Sequence, residues 1–189
     1  MYGFTGSFEN VNAPIISIAF KGDGFDKVLT WKEFIGKQDY VEVLEDEHEM
    51  LRRFVAVVKE YKPDYILGWY SDGFDFPYLK ARADKLDVNL ALGLDGSGVK
   101  IRYGFGGKAR IPGIPHIDVC RFVKTTMDES MKLDNYDLDS VAGELLNEKK
   151  VEMSIDEINA AWEKSDIKEL CGYNLQDAYL CLEIFKKIK

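Results

Sequence analysis

The chain has 189 residues, a formal net charge of −8, 46% hydrophobic and 13% aromatic residues. That length and apolar content suit one domain, residues 1–189, with a packed core and exclude a disordered chain, while the acidic balance argues against a general nucleic-acid coat with a basic face. No apolar run approaches 18 residues, no basic stretch opens the chain ahead of an apolar one, and Cys120, Cys171 and Cys181 show no CxxC spacing, so an intracellular (cytoplasmic) protein with no membrane partner, disulfide framework or zinc site is expected.

In chain order, residues 1–10 read as a strand and Asn10–Pro14 as a turn. Ile15–Phe20 is an apolar, β-rich run and a second strand. A turn at Lys21–Gly24 leads to a third, Lys27–Trp31, which makes residues 1–31 a meander. Asp46–Tyr61 has helical periodicity: Met50, Leu51, Phe54, Val57 and Val58 fall on one face, with Glu47, Arg52, Arg53 and Lys59 opposite. Pro63 closes that helix, Tyr65–Trp69 reads as a buried strand, and a helix follows over 76–86. Residues 93–114 hold seven glycines, with a hairpin expected around Val99–Tyr103. Ile114–Val119 is a strand. Helices are expected near Asp118–Thr126, Asp137–Leu146, Ile155–Lys164 and Asp166–Lys187. Strands come first, then helices interleaved with strands, which is a mixed α/β pattern.

Two segments about a hundred residues apart each set an acid in an aromatic frame: Gly68–Leu79, with Asp75, and Tyr173–Asp177, with Asp177. Asp75 falls just past the strand at the start of a helix, where amides favour negative charge; an ordinary helix N-cap fits that position equally. Tyr173 and Asp177 are four apart and share a helix face. The helix around Asp177 is apolar over most of its surface, so its acid either binds a metal or is hydrogen-bonded to a neighbouring loop. Glu9, at the end of the first strand, reads alone as a solvated strand-end acid. The runs Glu42–Glu49 and Asp134–Asp139 read as solvated faces and caps. His116 lies near Asp118, but with only two histidines in the chain a His-based metal site is not expected. Gly104, Gly106 and Gly107 form no phosphate-binding fingerprint.

With these residues in view, the chain resembles the 3′–5′ proofreading exonuclease domain of family B DNA polymerases, especially archaeal ones. Ser71–Leu79 looks like that family's second exonuclease motif. Tyr173-x-x-x-Asp177 looks like the third, in the tyrosine-bearing branch of the DEDD exonucleases. His116–Val119 and Tyr136–Ala142 resemble the segments between them. The order and separation of these motifs carry the resemblance. It implies a ribonuclease-H-like fold, a mixed central sheet flanked by helices. It also implies two divalent cations, Mg2+ or Mn2+, held by Glu9, Asp75 and Asp177, with Tyr173 positioning the attacking water. The implied substrate is the 3′ end of single-stranded DNA, with Trp69, Tyr70 and Phe74 contacting bases. Metal charge would offset the repulsion between an acidic site and phosphate. The implied partners are polymerase domains of the same or a parent chain, and the limits of the chain suggest a domain taken from a longer one.

Two positions depart from the family pattern. The first motif should read Asp-x-Glu, and here the segment is Ser7-Phe8-Glu9. A neutral serine hydroxyl does not replace a carboxylate that touches both metals. The second motif usually has an asparagine where this chain has Tyr70. The expectation is an exonuclease domain that is weakened or inactive. The other readings are an active proofreading nuclease, a non-catalytic single-strand-binding or structural module of a polymerase, and an α/β interaction domain whose acids are caps.

Overall fold

The structure, a computed structural model, describes residues 11–33, 38–104, 107–131, 133–148, 155–164 and 167–189. The described elements are β1 (Ser17–Gly22), β2 (Phe25–Thr30), β3 (Val41–Val43), α1 (Glu47–Tyr61), β4 (Ile66–Gly68), α2 (Asp75–Lys85), β5 (Lys100–Arg102), β6 (Lys108–Arg110), β7 (His116–Asp118), α3 (Val119–Thr126), α4 (Asp128–Met131), α5 (Leu138–Leu146), α6 (Ile155–Lys164) and α7 (Ile167–Ile188). The class is mixed α/β, as the sequence indicates. The strand expected within residues 1–10 lies outside the described residues. Two compact units emerge, one of residues 11–15 with Leu51–Asp137 and one of Ile16–Met50 with Leu138–Lys189.

The second of these units is a three-stranded sheet, β1-β2-β3, packed against α7, with α5 and α6 packed on α7. β1 and β2 are antiparallel, with Ile18 opposite Leu29 and Gly22 opposite Phe25. Only Asp23 and Gly24 connect them, and Gly24 takes the left-handed φ of 68° that such a tight connection favours. The turn is therefore shorter than expected and β1 runs on through Lys21 and Gly22. β3 pairs parallel to β2, with Val28 opposite Val41. Its sequence, Val-Glu-Val, overlaps the acidic run read as solvated faces and caps. Glu45 and Asp46 are exposed and Asp46 Oδ1 accepts from the Glu49 amide at 2.8 Å, whereas Glu42 takes an ion pair from Lys27 at 2.7 Å and Glu47 is buried. Val28, Ile167, Leu170 and Cys171 form the core beneath α7, with Tyr40, Val41, Trp162 and Leu175 against it. Fully burying such side chains stabilises by roughly 1.5–3 kcal/mol each. Burial pushes the Cys171 thiol up to about 11, so it is an uncharged core side chain.

The other unit is organised on a parallel pair, β4 and β7, with Ile66 opposite His116 and Gly68 opposite Asp118. α1 buries Leu51, Phe54, Val55, Val57 and Val58, the face its periodicity specifies. β4 is half-buried and three residues long, shorter than the buried strand expected over Tyr65–Trp69, because the chain turns sharply at Trp69. β5 and β6 form an antiparallel ribbon in register Lys100 to Arg110. The sequence marks only β5; glycines on both sides of β6 hide the returning strand.

Candidate functional site

The turn from β4 into α2 carries the second-motif residues. After Gly68 the chain reverses so tightly that a Cβ on Gly68 would lie 2.4 Å from the Ser71 Cβ. Tyr70 takes a φ of 56°, an uncommon conformation for a non-glycine residue. Its carbonyl accepts from the amides of Gly73 and Phe74, and the Ser71 carbonyl accepts from Phe76. α2 then begins at Asp75. The residue at the N-cap is Phe74, which offers no side-chain cap, so Asp75 is not the cap; it is exposed at the first position of the helix, at the positive end of the helix dipole.

Around that turn lies a buried polar network. Asp72, 7% exposed, accepts from the Ala109 amide at 2.7 Å through Oδ1 and faces the Arg121 guanidinium at 3.2 Å through Oδ2. The Asp72 amide donates to Asp118 Oδ2 at 2.9 Å. Asp118 Oδ1 also accepts from the Arg121 amide, capping α3. His116 Nε2 lies 2.9 Å from Ser71 Oγ. Its Nδ1 faces the Ala109 carbonyl at 3.3 Å and Asp72 Oδ1 at 3.4 Å. Two acceptors at Nδ1 place the proton there and leave Nε2 to accept the Ser71 hydroxyl. Burial lowers the His116 pKa, against the opposing pull of Asp72. The ring is neutral and edge-on to Phe76 at 4.6 Å. Asp72 and Asp118 thus have their oxygens engaged in structure, and Asp75 is exposed at the start of α2.

The aromatic residues expected to touch bases share this turn. Tyr70 is 38% exposed and Phe74 40% exposed. Phe74 stacks on Tyr78 at 5.3 Å, and the Tyr78 hydroxyl donates to the Ala13 carbonyl at 2.8 Å. The Tyr70 ring covers Gly73 so closely that a Cβ there would lie 2.5 Å from Cζ. Trp69 is half-buried.

Tyr173 and Asp177 lie in α7, one turn apart on one face and both half-buried. Next to Tyr173, Asn174 Nδ2 donates to Ser17 Oγ of β1 at 2.6 Å, which ties this part of the helix to the sheet. Ser7 and Glu9 lie outside the described residues. Among the described residues no three His, Cys, Asp or Glu side chains are grouped to hold a metal ion. The carboxylates of Asp75 and Asp177 are hard oxygen donors, the type that suits Mg2+ or Mn2+.

The network through Asp72, His116, Asp118 and Arg121 is the part that sequence reasoning missed. The signals were present: His116 and Asp118 alternate on one short strand and so face one side, and Ser71-Asp72 stands at a strand end between apolar neighbours.

The profile of the family described as "DNA polymerase family B, exonuclease domain" matches residues 1–141. The chain is 34% identical over 181 residues to a DNA polymerase of Thermococcus kodakarensis, which covers 95% of this chain and 10% of that protein. It is 35% identical over 173 residues to a DNA polymerase of Pyrococcus horikoshii, covering 90% and 14%. With a DNA polymerase of Pyrococcus glycovorans it shares 35% over 178 residues, covering 93% and 22%. The chain therefore spans between about a tenth and about a fifth of the length of these relatives.

Proposed function

The chain belongs to the exonuclease domains of family B DNA polymerases, and on that premise we propose that it is a 3′-end-handling module with a weakened two-metal site. The observation that carries the reading is the turn of the second motif: it sets Asp75 at the surface, in the first turn of α2, on a backbone that the buried contacts of Asp72, Asp118 and Arg121 hold. In this reading Asp75, Asp177 and Glu9 hold Mg2+ or Mn2+. When bound, the metals would activate water and stabilise the leaving oxygen of a phosphodiester. Tyr173, one turn before Asp177, orients the water. Tyr70, Phe74 and Trp69 offer faces on which terminal bases stack. Ser7 replaces a carboxylate and lowers the charge available to the metals, so activity falls by orders of magnitude. The substrate is the 3′ end of single-stranded DNA, the partners are polymerase domains, and the setting is intracellular, with the replication machinery. All 189 residues serve this one module.

A second reading, a non-catalytic strand-binding or bracing module, has its own support: at the position where the family usually has asparagine, Tyr70 presents an exposed ring, held by a left-handed backbone, over Gly73. Manganese binding followed by electron paramagnetic resonance separates the two. The metal reading expects weak binding by the unaltered chain, tighter binding by Ser7→Asp and loss of binding on adding Asp75→Asn. Indifference of Mn2+ affinity to Asp75→Asn in both backgrounds would leave only the second reading.

A further inference from the structure

Asp75, Tyr78, Arg82 and Lys85 recur along α2 at intervals of three, four and three residues, so they share one face of the helix. Asp75 opens that stripe, and the other three grip a single segment of chain. The Val11 carbonyl accepts from Arg82 Nη1 at 3.2 Å and from Lys85 Nζ at 3.3 Å. The Ala13 carbonyl accepts from the Tyr78 hydroxyl at 2.8 Å. Val11 is 8% exposed and Arg82 5% exposed, so the segment is packed onto the helix. A guanidinium is costly to bury unless it is hydrogen-bonded, and bonds from cations to a carbonyl are of the stronger, charge-assisted kind. Residues 11–15 accordingly belong to the compact unit of Leu51–Asp137, although the strand that they lead into belongs to the other. Glu9 precedes Val11 by two residues, and two residues of chain span at most about 7 Å.

We propose that Arg82, Lys85 and Tyr78 are positioning residues for Glu9. By fixing Val11 and Ala13 on the stripe that Asp75 opens, they restrict how far apart two acids from distant parts of the sequence can stand. The inference rests on the reading of Glu9 and Asp75 as metal ligands and adds to it the groups that set one against the other. Arg82 stands seven residues, about 10.5 Å along the axis, from Asp75. Helical side chains lean towards the N-terminus, which brings the Val11 anchor nearer to that acid. The need for such an anchor comes from the ion. Mg2+ takes its oxygens at about 2.0–2.1 Å in near-octahedral geometry, so a carboxylate on an untied segment binds at the cost of ordering that segment. An anchor two residues away lowers that cost before the metal arrives. The three side chains act through the backbone of residues 11–13 and not on the ion.

The test is Mn2+ affinity, followed by electron paramagnetic resonance, in the Ser7→Asp chain. Two anchor variants, Arg82→Gln and Tyr78→Phe with Lys85→Gln, are each made with Glu9 intact and with Glu9→Gln. Removing a cation would by itself favour binding of another cation, so a fall in affinity cannot come from the lost charge. With Glu9 intact, each anchor variant should bind Mn2+ about tenfold more weakly, the low end for groups that orient a metal ligand. With Glu9→Gln, the same variants should change affinity by less than about twofold. Lys80→Gln, on the opposite side of the same helix where Lys80 pairs with Asp84, is the charge-matched control and should not weaken binding. Melting curves establish that every chain compared is folded at the assay temperature. The pair Tyr78→Phe with Lys85→Gln leaves buried Arg82 in place and carries the test if Arg82→Gln unfolds. Equal weakening with and without Glu9, equal weakening by Lys80→Gln, or no weakening by either anchor variant would each overturn the proposal. If Glu9→Gln lowers affinity and the anchor variants do not, the proposal fails alone. If Glu9→Gln leaves affinity unchanged, or the Ser7→Asp chain binds no Mn2+, the reading of Glu9 as a ligand fails and the proposal with it.

Discussion

Replacing Asp72 with alanine tests the buried network directly. The side chain is 7% exposed, and its Oδ1 takes the Ala109 amide at 2.7 Å. Hydrogen bonds to a charged group contribute about 1.5–3 kcal/mol, and a buried donor left unmade costs about 1–3 kcal/mol. The Arg121 contact at 3.2 Å adds less, because that side chain is 34% exposed and can turn to water once its partner is gone. The sum for Asp72→Ala is about 3–4 kcal/mol, most of it from the amide. For a chain of this size that lowers the melting temperature by roughly 6–16 °C. Circular dichroism with thermal and urea unfolding measures it. A double-mutant cycle with Arg121→Ala should give a coupling below about 1 kcal/mol, which isolates the amide as the dominant partner. A cost below about 1 kcal/mol for Asp72→Ala would show that the network does not hold the turn that carries Asp75.

Gly73→Ala should cost less than about 1 kcal/mol, because its Cβ would stand 2.5 Å from the far end of the exposed Tyr70 side chain, which can swing aside; adding Tyr70→Ala should remove that cost in urea unfolding. Stability should also fall with acid through His116. Its folded pKa lies below the usual 6.5, so as pH drops the unfolded chain takes the proton first. The stability present above about pH 6.5 is therefore lost progressively towards the lower folded value. Urea midpoints between pH 8 and 5.5 should show that decline, and His116→Gln should flatten it.

Long periodic segments were the legible part of the fold. α1 follows its apolar spacing, and α6 and α7 run where the sequence puts them, because a helix face repeated over several turns overrides local noise. Short strands were not legible. Val41–Val43 and Lys108–Arg110 are three residues each and owe their state to a partner strand that no local pattern reveals. The site divides in the same way. Asp75 and Asp177 stand out by motif and spacing, and the structure shows that Asp75 is not the cap that position alone allows. The network on Asp72 joins residues 37 to 49 positions apart, through backbone amides as well as side chains, so it appears only when β4, β6 and β7 are placed.

The central claim, an exonuclease module weakened at Ser7, meets its most direct test in cleavage of a 3′-terminated single-stranded oligonucleotide with Mg2+ and then Mn2+. The unaltered chain, Ser7→Asp and Asp177→Ala are compared side by side. Little or no cleavage by the unaltered chain, cleavage regained in Ser7→Asp, and none in Asp177→Ala are expected. Rapid cleavage by the unaltered chain that Asp177→Ala abolishes would contradict the weakening. Silence in all three would contradict the metal site itself.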